Sequence, residues 1–141
     1  MQTPLDLTHY ATCLRTLRRA WERYQAEGPD GEDAELYRSA CVKEFELLVE
    51  IAGKLLKKRL RPYLASHREA DMLPYKEVFR RAALFDLLPL PVAERWLAYR
   101  DVRNETAHDY GAAYANRTLA LLPDFIPDAD AVHQALIVNG Q

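Results

Sequence analysis

From Ala34 to Leu60 the chain runs without a proline, and Tyr37, Cys41, Phe45, Leu48, Ala52 and Leu55 recur along it at spacings of three and four. That period is helical, because positions three and four apart stack on one face of an α-helix. Leu47, Ile51 and Leu56 widen the apolar face. Gly53 inside this run lowers helix propensity, so its presence predicts a close approach by a neighbouring element.

The same spacing appears upstream in Leu7, Tyr10, Leu14, Leu17, Trp21 and Tyr24, which predicts a first helix from about Asp6 to Ala26. Between the two helices lies "EGPDGED", residues 27-33, a loop by its Gly-Pro and Asp-Gly pairs. Asp33 is placed to accept bonds from the free amides that open the second helix.

Downstream, Pro62 ends the second helix and Pro74 suits the first turn of a third, which carries Tyr75, Val78, Phe79, Ala82 and Phe85. "LLPLP" stops that helix and Pro91 opens a fourth, with the stripe Val92, Trp96, Tyr99, Arg103, Thr106 and Tyr110. Gly111 is placed as its C-cap. Two shorter helices, Ala112–Leu122 and Asp128–Val138, are expected on either side of "PDFIP". With only five glycines, the chain lacks the turn signals of a β-sandwich and reads as all-α.

A length of 141 residues fits one domain, taken as 1-141, with a core that needs no staples. Cys13 and Cys41 form no CxxC pair and no histidine has a second ligand at metal spacing, so free thiols and no metal or cofactor are expected. The N-terminus has charges within its apolar pattern, unlike a signal peptide. "AALFDLLPLPVA" is broken by Asp86 and two prolines, short of a membrane span. A cytoplasmic protein without membrane contact is the expectation.

A net charge of -2 offers no global attraction to nucleic acid, so any RNA contact needs a local basic patch. "KLLKKRLR", residues 54-61, has two readings: cations complementing the negative end of a helix dipole, or a phosphate-contacting patch.

The stretch with chemical potential is "RNETAHDYG", residues 103-111. On a continuous helix Arg103 and Tyr110 share a face about 10 Å apart, and Asn104 and His108 are neighbours at i and i+4. Arg103 and His108 stand roughly 140° apart around the axis and do not converge within one regular helix. Either the helix distorts before Gly111 or two chains assemble the site. Arginine and histidine together suit metal-free RNA cleavage: neutral imidazole takes the 2′-hydroxyl proton and guanidinium stabilises the phosphorane-like charge. One histidine serves poorly as both base and acid, whereas the two of a symmetric dimer divide the roles. The structural alternative pairs Arg103 with Asp101 or Asp109 and leaves His108 as a helix-end cap.

"YRSACVKEFELLVEIAGKLLKKRL" (37-60), a helix ending "AALFDLL" (82-88), and "WLAYRDVRNETAHDYG" (96-111) together resemble the nucleotidyltransferase-substrate-binding family, relatives of the HepT toxins in the HEPN superfamily. The superfamily signature, Arg with a following polar residue and then His, is met by Arg103, Asn104 and His108, and the His-x-Tyr extension by His108 and Tyr110. The resemblance implies an up-and-down helical bundle, four main helices plus short C-terminal ones, dimerising with its Arg-His motifs at a shared cleft. It implies a metal-independent ribonuclease toxin, with catalytic residues Arg103, His108 and Asn104. A small nucleotidyltransferase antitoxin is the implied partner, transferring AMP to Tyr110. The other branch of the resemblance implies a non-catalytic subunit that binds a nucleotidyltransferase substrate. The chain has neither a Walker-type loop nor a Gly-Ser motif with paired aspartates, so the nucleotidyl transfer itself falls to a partner.

Overall fold

The computed structural model describes residues 4–105 and 111–137, and every regular element among them is helical. In chain order these are α1 (Thr8–Glu27), α2 (Ala34–Leu60), α3 (His67–Asp71), α4 (Tyr75–Leu84), α5 (Leu90–Asn104) and α6 (Ala112–Leu136), in an up-and-down bundle. A short 3-10 turn over Arg61–Tyr63 links α2 to α3.

Local chemistry explains the boundaries. Asp6 accepts the Thr8 amide at 3.0 Å at the start of α1, and that bond holds the Asp6 carboxyl below its ordinary range. Gly28 stops α1 in the left-handed region, φ 86°, with its amide on Tyr24 O at 2.8 Å. Asp33 does precede α2, but its side chain caps nothing. Its amide instead donates to Glu27 Oε1 at 2.6 Å, so the loop is tied back to α1. Ser66 opens α3 by accepting the Glu69 amide, while Glu69 accepts from Ala65, each at 3.0 Å. Asp86, φ 59°, makes the left-handed turn between α4 and α5.

The long α2 is the axis of the fold, packed against α1, α4, α5 and α6. Its stripe Cys41, Phe45, Leu48, Ala52 and Leu55 is buried as the periodicity predicts. Phe45, Phe79, Trp96, Tyr99 and Phe125 form one aromatic cluster, with Phe79 stacked on Trp96 at 5.3 Å and Phe45 edge-on to Phe125 at 4.8 Å. Gly53 is where Tyr75 crosses α2: a Cβ there falls 2.4 Å from Tyr75 Cε2. The close approach expected of that glycine is found.

Beyond the Asp33 cap, two further expectations fail. The C-terminal segment is one continuous helix, with Pro123 and Pro127 inside it, rather than two short helices around "PDFIP". Each proline removes one intrahelical bond and costs about 3 kcal/mol. The stripe Leu122, Phe125, Ala129, Val132 and Leu136 continues past both prolines fully buried, and at about 1.5–3 kcal/mol per large side chain it outweighs that cost. Both proline rings lie on the exposed side. Gly111, read as the C-cap of α5, instead immediately precedes α6 in an extended conformation, φ -83° and ψ -173°. The described end of α5 is Asn104, with Glu105 as its cap.

Candidate functional site

The C-terminal end of α5 lies against the middle of α2 through a two-rung ion ladder. Arg103 Nη1 stands 3.6 Å from Glu46 Oε2, and Arg100 Nη1 stands 3.2 Å from Glu50 Oε2. The rungs run in opposite sequence directions, as antiparallel helices require. Arg100 also lies over the Tyr75 ring at 4.2 Å, a cation–π contact that fixes its rotamer. Tyr75 is itself held: its hydroxyl donates to Val49 O and accepts from Trp96 Nε1 at 2.9 Å.

The third element enters through Tyr114, in the first turn of α6, whose hydroxyl donates to the same Glu46 oxygen at 3.0 Å. Tyr114 is buried, and burial first, then the Glu46 bond, push its phenol well above the ordinary range. Glu46 therefore joins α2, α5 and α6. Beside it a groove of about 430 Å³ opens between α2 and α6, with Arg38, itself paired with Glu35, and Lys43 and Glu46 along its α2 side and Val42 and Tyr114 in its wall. Its mixed charge suits a ligand with an anionic group and an apolar body.

Of the predicted site residues, Arg103 is half-buried in this ladder and Asn104 is exposed as the last residue of α5. His108 and Tyr110, with Thr106 and Asp109, lie outside the described residues. Arg103 takes Glu46 as an ion-pair partner, while Asp101 pairs with Lys76 at 2.6 Å. Glu46 and Tyr114 were not singled out in the sequence. The signal for Glu46 is an acid set between buried Phe45 and half-buried Leu47, repeated one turn later as Glu50.

The basic segment at the end of α2 resolves toward structure. Arg59 is buried and donates to the Leu136 carbonyl at the end of α6. Arg61 pairs with Asp71 at 3.1 Å, and Lys57 donates to the Asp71 carbonyl at 3.3 Å. These cations fasten α3 and α6 to α2. Cys13 and Cys41 are free and buried, and their thiols are pushed up to about 11, chiefly by burial. Among the described residues no cluster of His, Cys, Asp or Glu could hold a metal ion, and no helix is long and apolar enough to cross a membrane.

A Haemophilus influenzae protein named probable ribonuclease HepT is 26% identical over 103 residues, covering 73% of this chain and 69% of the relative. A solved Haemophilus influenzae structure, described as showing the fold of a substrate binding domain of a nucleotidyltransferase, superposes with a TM-score of 0.79 at 20% identity. That match covers 93% of this chain and 98% of the other and establishes the shared fold. The family model described as "Nucleotidyltransferase substrate binding protein like" matches residues 5–137. The chain therefore belongs to the nucleotidyltransferase substrate binding protein-like family.

Proposed function

We propose that this protein is a HepT-like toxin of a toxin-antitoxin pair, a metal-independent endoribonuclease acting as a homodimer. The observation that carries the proposal is the setting of Arg103. In the last turn of α5 its guanidinium forms an ion pair with Glu46, a residue that lines the α2–α6 groove, five residues before His108. A phosphate arriving there competes with Glu46 for a planar fork of donors suited to either anion. The similarity to a relative named probable ribonuclease HepT supports the same reading.

In this mechanism neutral His108 takes the 2′-hydroxyl proton as that oxygen bonds to phosphorus. Arg103 stabilises the developing phosphorane charge, and the 5′-oxygen leaves with a proton from His108 of the partner subunit. The products are a 2′,3′-cyclic phosphate and a 5′-hydroxyl. Asn104 orients the substrate or His108. Tyr110 is the AMP acceptor for a nucleotidyltransferase antitoxin, and the added bulk and negative charge repel RNA from Arg103.

The test incubates partner-free protein, confirmed unmodified by intact mass, with single-stranded and transfer RNA in chelator, beside His108→Ala and Arg103→Ala. Cleavage by the wild type alone is expected. Absence of cleavage by the folded, unmodified protein overturns the ribonuclease. In that event the groove beside Tyr114 favours the second reading, a non-catalytic subunit that binds a nucleotidyltransferase substrate, with Arg38 and Lys43 on its phosphate.

A further inference from the structure

Away from this site, α1 carries Arg15, Arg18, Arg19 and Arg23 at i, i+3, i+4 and i+8, a spacing that gathers them on one side of the helix over about 12 Å. They line a groove of about 550 Å³ between α1 and α6, closed on the far side by His133, with Glu22 as its one acid. Arg18 is engaged by Asp130 at 3.2 Å, and Arg15 reaches only Thr12 Oγ1 at 3.5 Å. Arg19 and Arg23 make no ion pair or hydrogen bond with any described residue. The same two arginines border a second groove of about 340 Å³ between α1 and α2, beside Tyr37 and the exposed Leu36.

In a chain of net charge -2, four arginines gathered on one helix face are a local excess that Asp130 and Glu22 offset only in part. Like charges one turn apart repel, and anions laid along the face relieve the repulsion. The guanidinium fork matches phosphate oxygens, and Arg15, Arg19 and Arg23 repeat every about 6 Å, a step comparable to successive phosphates of an extended strand. Tyr37 and Leu36 supply an aromatic and apolar surface beside the cations, the combination that tracks single-stranded nucleic acid by stacking and charge together.

We propose that this face of α1 binds the phosphate backbone of single-stranded RNA, holding it outside the Arg103 site. The choice of RNA rests on the ribonuclease reading, and the binding itself requires no cleavage.

The experiment titrates fluorescein-labelled single-stranded RNA into the full chain carrying His108→Ala, which leaves RNA intact, and follows anisotropy over a salt series. Adding Arg19→Gln and Arg23→Gln is expected to weaken binding at least tenfold at low salt. It is also expected to reduce the log–log salt slope by about 1.4, from two single-strand phosphate contacts at about 0.7 each. The Arg19→Lys, Arg23→Lys version keeps most of that slope. Unchanged affinity and slope in a glutamine variant of wild-type helicity overturns the proposal. So does conversion of that variant to a different oligomeric state by light scattering, which makes the face an interface between copies. RNA cleavage by the otherwise wild-type chain with unchanged binding in the variant removes the α1 face and leaves the ribonuclease. Salt-sensitive binding lost in the variant, without cleavage by the wild type, does the reverse.

Discussion

Glu46 faces Arg103 across the α2–α5 seam, Oε2 to Nη1 at 3.6 Å, while the same oxygen accepts the Tyr114 hydroxyl. The carboxylate thus has two separable duties. Its charge occupies Arg103, and its acceptor oxygen satisfies a buried phenol. Glu46→Gln removes the first and keeps the second, so its thermal midpoint should stay near wild type while RNA affinity rises several-fold. Glu46→Ala removes both and orphans the Tyr114 hydroxyl, which should cost about 1–3 kcal/mol in urea unfolding. Weaker RNA binding by a stable Glu46→Gln protein is the result that sinks this account.

The α5–α6 contact is organised by Asp128, which is buried and accepts Arg95 through two bonds, Nε at 2.7 Å and Nη2 at 2.8 Å, and Tyr99 through a third. Arg95 is half exposed, with a side-chain accessibility of 46%, against 5% for Asp128. Losing the acid lets the guanidinium return to water, whereas losing the arginine strands a carboxylate inside. Arg95→Ala should therefore cost more than Asp128→Asn, which should cost about 1–2 kcal/mol. Denaturant unfolding of the two variants checks the order, and equal costs would contradict the burial argument.

Gly53→Ala is a change that propensity and packing judge oppositely. Alanine gains about 1 kcal/mol of helix propensity over glycine. Its Cβ meets Tyr75 at 2.4 and 2.7 Å, and that ring cannot yield easily because Val49, Trp96 and Arg100 hold it from three sides. The variant should be less stable than wild type by about 1–3 kcal/mol. A higher melting temperature would show that the ring relaxes.

The three predicted long helices at 6–26, 34–60 and from Pro91 were legible because an unbroken 3.6 period lies between strong stop signals, and Gly53 was legible because a glycine in such a period needs a packing reason. The continuity of α6 was not. Proline rules are local, and the burial that overrides Pro123 and Pro127 depends on α1 and α2 being in place. Glu46 escaped for the same cause: its partners lie 57 and 68 positions away, a separation that no periodicity encodes. Arg103 was legible as chemistry, from its neighbours in the chain, yet its counter-ion was found only in the fold.

The buried thiols set an alkaline limit on stability. Burial raises Cys41 from an ordinary 9.0 to about 11, and burial followed by the Glu44 hydrogen bond raises Cys13 to about 11. Between those values the folded chain retains thiol protons that the unfolded chain has released, so folding binds protons and stability declines as pH rises. The contribution is fully present below pH 9.0 and is lost through about 11. The Tyr10, Tyr75, Tyr99 and Tyr114 phenols, all raised chiefly by burial, extend the decline further into alkali. Urea midpoints should fall steadily from pH 8.5 to 10.5, and Cys41→Ala, whatever its offset, should show a shallower fall. At pH 8 both cysteines should react with a thiol reagent far more slowly than in urea. A flat pH profile with rapid labelling of the native protein would mean that these thiols are open to solvent, contrary to the packing of α1 and α2.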